Sequence, residues 1–92
     1  MSYKITKYTK DKAKKIGVEV KPSNKRDKKI DVFKNGTLVA SIGAIGYSDY
    51  PTYLLSRGKK YAEERRRLYK KRHAENRKKR YTTGWYADQL LW

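Results

Sequence analysis

The sequence predicts an α+β fold. An Asn-Gly pair inside "KIDVFKNGTLVASIGA" marks a β-hairpin, because a type I′ turn needs positive φ at both central residues and Asn and Gly adopt it at least cost. From Lys59 about twenty residues run without Gly or Pro and are rich in helix formers, with apolar and aromatic side chains at three- and four-residue intervals. That pattern marks an amphipathic helix. A chain of 92 residues buries only about 60% of its unfolded surface, so both elements must share one small core, and residues 1–92 are read as a single domain.

The elements follow in order. "YTKDKAKKIG" offers Thr9 as an N-cap, Ala13 and Ile16 at helical spacing and Gly17 as a stop signal, which predicts a short N-terminal helix. Val18 and Val20 alternate before a Pro-Ser-Asn turn cluster, which predicts a strand over 18–21. The hairpin strands are expected over 29–34 and 37–42. A two-residue loop would pair Phe33 with Leu38 and Val32 with Val39, so that Phe33, Leu38, Ala40 and Ile42 share one face and Ile30, Val32 and Val39 the other. Both faces would then need cover. In "GYSDYPTYLLSRG", Asp49 as N-cap, Pro51 in the first turn and Gly58 as a left-handed stop predict a helix over 50–57. The long basic helix is expected over 59–79. A short C-terminal helix, started by Thr83 or Gly84, would carry Trp85, Tyr86, Leu90, Leu91 and Trp92, too much apolar area to leave in water. Its economical resting place is the hairpin face. Ile30, Val32, Phe33, Leu38, Val39, Ile42, Ile45, Tyr53, Leu54 and Leu55 are the expected core donors.

Charge divides the chain into three. Lys and Arg number 25 against 9 Asp and Glu, a formal +16 at pH 7. Residues 1–28 carry ten basic and three acidic side chains, residues 29–56 two of each, and residues 57–92 thirteen and four. A neutral apolar centre therefore lies between basic flanks whose self-repulsion favours a polyanionic partner. There is no cysteine, so disulfides and thiolate metal sites are excluded. No stretch approaches the roughly 20 apolar residues of a membrane span, and the N-terminus lacks a signal-peptide pattern. A non-secreted protein without a membrane partner is expected.

Catalysis lacks parts. One histidine, His73, no cysteine and no carboxylate cluster leave no nucleophile–base pair and no two-metal site. Asp31, Asp49 and Asp88 could in principle meet His73 around a metal, but Asp49 is better used as a cap. Gly43 and Gly46 only loosely echo a phosphate-cradling loop, and the lysine of a P-loop is missing. No enzyme activity, catalytic residue, metal or cofactor is expected.

What the pattern does supply is a cationic helix. Arg65, Arg66, Arg67, Lys70, Lys71, Arg77, Lys78, Lys79 and Arg80, helped by Lys10, Lys12, Lys14 and Lys15, are the candidate nucleic-acid-binding residues, since phosphate contacts that release counterions need little else. Arg67, Lys70, Lys71 and Lys78 are read as pointing away from the stripe of Tyr61, Ala62, Leu68 and Tyr69, which has Arg65, Arg72 and His73 between its members. Lysine-heavy contacts position a protein without discriminating bases. Tyr3 and Tyr8 could stack on exposed bases, whereas Tyr47, Tyr50, Tyr53, Tyr61 and Tyr69 are expected to bury their rings.

The segments "KKIDVFKNG", "IGAIGYSDYPTYL", "RGKKYAEERRRLYKKRH" and "GWYADQLLW" together cover most of the chain and resemble a family of small basic proteins of uncharacterised function. That family is encoded by large nucleocytoplasmic DNA viruses of algae and protists. The resemblance implies a viral context, in the virion interior or in the nucleus or cytoplasmic virus factory of an infected cell, and a role coating or compacting genome DNA. It transfers no site residue. The expected function is sequence-nonspecific binding of nucleic acid, DNA favoured over RNA, with a virion or capsid interaction protein and an RNA-binding module as alternatives. Virion proteins and a second copy of the chain are the other candidate partners.

Overall fold

The computed structural model describes residues 3–92. Four helices accompany a three-stranded antiparallel meander. In chain order these are α1 (Lys7–Ile16), β1 (Glu19–Pro22), β2 (Lys28–Lys34), β3 (Thr37–Ala44), α2 (Tyr50–Arg57), α3 (Lys59–Arg72) and α4 (Thr83–Leu91), with a single 3-10 turn at Asn76–Lys78 before α4. None of the helices among the described residues is long and apolar enough to cross a membrane.

The hairpin turns at Asn35 and Gly36, both at positive φ (52° and 80°), as a type I′ loop requires. Phe33 faces Leu38 as expected, but Val32 faces Ala40 and not Val39. Val39 is the extra residue of a β-bulge, and the one-residue slip changes which side chains share a face. Ile30, Val32, Ala40 and Ile42 now lie together and are buried, while Leu38 and Val39 are exposed. The expected division of faces is thereby overturned. One apolar face needs cover, and the other is held by Asp31, which accepts hydrogen bonds from Ser23 (2.6 Å) and Ser41 (2.8 Å).

Cover comes from the C-terminus. Tyr86, Leu90 and Leu91 of α4 join Ile30, Val32, Ala40, Ile42 and Ala13 of α1 in a single core. The aromatic end of the chain thus docks on the hairpin, as its apolar area demanded. Close approach explains Gly43: it sits at φ 78°, and a Cβ there would lie 2.9 Å from Leu91 Cδ1. That close packing accounts for the glycine. Ile45 and Leu55, expected in the core, are exposed.

The helix ends show what local signals can and cannot do. Asp49 caps α2 by accepting from the Thr52 amide at 3.0 Å, with Pro51 in the first turn. Gly58 does end α2, but at φ 89°, ψ 169°, a region essentially reserved for glycine, and α3 begins at the next residue. Thr6, not Thr9, caps α1. Thr9 is fully buried one turn later, its hydroxyl donating to the Leu90 carbonyl at 2.9 Å.

Helix α3 stops at Arg72, well short of its expected end at 79. No glycine or proline causes this. The Arg77 guanidinium folds back and donates to the Lys70 carbonyl at 3.2 Å, satisfying one of the acceptors that a helix C-terminus leaves open. The 3-10 turn packs on α4. Tyr81 then takes a left-handed φ of 68°, and Thr82 caps α4 by accepting from the Trp85 amide. The radius of gyration, 12.5 Å, matches that of a folded domain of this size. The basic segment is part of the domain, not a trailing tail.

Candidate nucleic-acid interface

Helix α3 has three faces, and the fold uses each differently. The first turns toward α1 and α4. Arg66 lies 3.9 Å from the Tyr50 ring centroid and donates to the Trp92 carbonyl (3.4 Å) and to Glu63 (3.2 Å). Lys70, expected on the outer ridge, instead donates to Asp88 at 2.8 Å, with side chains 34% and 5% exposed respectively. The reason is tertiary: α4 brings a buried carboxylate beneath the helix, and a buried charge must be paired. With Arg77 spent on the Lys70 carbonyl, Arg66, Lys70 and Arg77 are structural and not the free phosphate contacts expected.

The second face looks outward. Arg67 is exposed but pairs with Glu64 at 2.6 Å, which holds the glutamate below and the arginine above their ordinary pKa ranges through that hydrogen bond. Lys71, and beyond the helix Lys78, Lys79 and Arg80, are exposed and have no carboxylate within ion-pair reach among the described residues. On α1, Lys10, Lys14 and Lys15 are in the same condition. Lys12 is half-buried, its ammonium 3.4 Å from the Tyr8 hydroxyl and 5.2 Å from that ring's centroid. Burial lowers the Lys12 pKa; Asp88 opposes this, while Arg66 and Lys15 add repulsion. Lys12 of α1 and Arg66 of α3 therefore lie near enough to repel one another, with Asp88 offsetting part of that repulsion.

Tyrosines seal the seam beneath. The Tyr8 ring lies 5.3 Å from Tyr50 and its hydroxyl donates to the Trp92 carbonyl at 3.3 Å. Tyr69 stacks on Trp92, with centroids 4.3 Å apart and planes 7° from parallel. Burial, reinforced by Asp88, pushes the Tyr69 phenol up to about 12, and burial likewise raises Tyr8 and Tyr50. All three remain protonated at neutral pH. Tyr3 donates to Asp49 at 2.8 Å, and its ring packs against the core with the Lys29 ammonium 5.2 Å from its centroid, so the Tyr3 and Tyr8 rings, expected to be open to bases, are both engaged within the fold. Tyr47 and Tyr61, expected to be buried, are 76% and 41% exposed.

Comparison of the chain with protein-family models, curated proteins and solved structures finds no match.

The third face of α3 carries Arg65, Leu68, Tyr69 and Arg72 toward the β3–α2 connection and Trp92. Arg65 lies over the Tyr53 ring at 5.7 Å. Arg72 was not among the expected contacts, though its seven-residue spacing from Arg65 places both on the same helix face. The three aspartates that could have met at His73 do not converge. Asp31 is held by two serines, Asp49 by Lys29 at 3.0 Å and Asp88 by Lys70. Among the described residues no group of three metal-ligating side chains assembles.

Proposed function

We propose that the protein binds nucleic acid without reading its sequence, duplex DNA in preference to RNA, and does so as a binding protein, not a catalyst. The observation that carries this is the unpaired cation surplus. Of 25 Lys and Arg side chains, Lys7, Lys29, Arg66, Arg67 and Lys70 form ion pairs among the described residues. The exposed remainder includes Lys10, Lys14 and Lys15 on α1 and Lys71, Lys78, Lys79 and Arg80 at the end of α3 and beyond. A surface so rich in lysine suits phosphates and positions a protein without specifying bases. In the viral setting that the resemblance implies, such a protein would coat or compact the genome in the virion or the infected cell.

Gel shifts across a salt series, with duplex DNA, single strands and RNA at equal ionic strength, test the reading. Affinity for duplex should fall steeply with salt, and equally for unrelated sequences. Tighter binding to RNA would move the function to an RNA-binding module, and no shift in dilute buffer would reject it. A second reading, a virion or capsid interaction protein, is favoured by the exposed Leu38, Val39, Ile45 and Leu55. Salt-insensitive association with capsid protein, without a DNA shift, would select it.

A further inference from the structure

A cleft of about 500 Å³ opens between the third face of α3, the β3–α2 connection and the end of α4, a volume within the usual range for small-ligand sites of about 300–1,000 Å³. Its walls combine two chemistries. Aromatic surface comes from Trp92, already stacked on Tyr69, from Tyr53, and from Tyr47 at the mouth, a ring 76% exposed and without an aromatic partner among the described residues. Positive charge comes from Arg65 and Arg72, spaced along one side of α3, with the His73 imidazole beside them at the helix cap. No carboxylate lies within ion-pair reach of these three among the described residues.

The carboxylate in the wall, Asp49, does not offset them. It accepts from Lys29, Tyr3 and the Thr52 amide and is 2% exposed at its side chain. The Lys29 ammonium is held in turn by the Tyr47 carbonyl. Aspartate and lysine thus cancel within the wall, and the cleft presents rings and unpaired cations. An anionic ligand with a flat, apolar body meets both demands.

We infer that this cleft receives one unstacked nucleobase, its ring against Tyr47 and Trp92 and its phosphate at Arg65, Arg72 and His73. The inference rests on the nucleic-acid reading and deepens it: the exposed lysines hold the backbone, and the cleft holds a base that has left the stack. Every base offers a π-face, so such a site adds affinity for strand ends, flaps and unpaired nucleotides without adding sequence preference. A base already outside the duplex spares the cost of unstacking.

The test is a pair of labelled duplexes, one fully paired and one with a single extrahelical nucleotide, titrated by fluorescence anisotropy at the same salt. The ratio of their affinities is the readout. The native protein should bind the unpaired form at least about fivefold tighter, and the ratio should fall to near one in Tyr47→Ala and, separately, in Arg72→Gln. Both side chains are exposed, so neither substitution threatens folding. Equal affinity of the native protein for the two duplexes, or a preference that survives both substitutions, overturns the cleft as a base site and leaves the nucleic-acid reading standing. Absence of binding to either duplex in dilute buffer overturns both.

Discussion

Two ion pairs join a lysine to an aspartate across the fold, and they sit in different surroundings. Lys29–Asp49 is enclosed, with side chains 7% and 2% exposed; Lys70–Asp88 has one partner buried and the other a third open to solvent, at 34% and 5%. Lys71 and Lys78, close to Lys70 in sequence, are exposed and unpaired among the described residues. Identical side chains thus serve as internal fastener, as clamp at the rim and as free charge. What separates them is the carboxylate opposite and the water left around it. Charge that the fold consumes is not free to meet a phosphate, so the cations left unpaired are fewer than the 25 Lys and Arg of the chain.

The largest effect is expected at the enclosed pair. Asp49→Ala would strand Lys29 in the interior, remove the cap of α2 and leave Tyr3 without its acceptor. A loss of about 3–5 kcal/mol is expected in urea unfolding, a large share of the roughly 5–15 kcal/mol typical of a domain. Gly43→Ala follows. Positive φ and a Cβ at 2.9 Å from Leu91 Cδ1 should together cost about 2–3 kcal/mol by the same measurement.

Asp88→Ala tests the half-open pair. Because water still reaches Lys70, the loss should be smaller, about 1–2 kcal/mol; a cost equal to that of Asp49→Ala would erase the distinction between the two sites. Asp31 supplies a third case, a buried carboxylate held by hydroxyls in place of a lysine. The Ser23 hydroxyl is the main cause of its depressed pKa; burial opposes this and the Ser41 hydrogen bond adds to it. A carboxyl depressed on folding stabilises the protein above its unfolded value, about 3.9, and that contribution is lost as pH falls through the folded value. Ser41→Ala should therefore cost about 1 kcal/mol near neutrality and less once the pH is below both values, as thermal unfolding at a series of pH values would read.

The free charges stand at the small end of this scale. Lys71→Glu with Lys78→Glu should change stability by no more than about 0.5 kcal/mol, yet weaken binding to all DNA sequences alike and lower the salt slope by about one for each phosphate left unneutralised. Lys70→Glu, by contrast, would set a second carboxylate against Asp88 and unsettle the fold, so it cannot report on binding alone. An unchanged slope in the double variant would remove these lysines from the interface.

Short-range signals were legible wherever one residue's chemistry decides the outcome. Asn35-Gly36, Gly17, Asp49 with Pro51, and the apolar C-terminus all do in the fold what their side chains predict. Other features were not legible. The Val39 bulge, the stop of α3 at Arg72, the move of the α1 cap to Thr6 and the capture of Arg66, Lys70 and Arg77 each depend on a partner outside the local pattern. Val39 slips so that Ala40 and Ile42 can join Ile30 and Val32 beneath α4. Thr9 is drawn inward by the Leu90 carbonyl. The cleft belongs to the same class, since Tyr47, Tyr53 and Trp92 join Arg65, Tyr69 and Arg72 of α3 around it only from elsewhere in the chain.

The α+β class, the hairpin, the Asp49-capped start of α2 and the excess of positive charge were all written in the order of residues, because they follow from local dihedral preference, periodicity and composition. Which cations remain free was settled only when the elements packed together, since burial and pairing are properties of the space between them. A lysine opposite a buried aspartate is held by it, and one facing water is available to a polyphosphate.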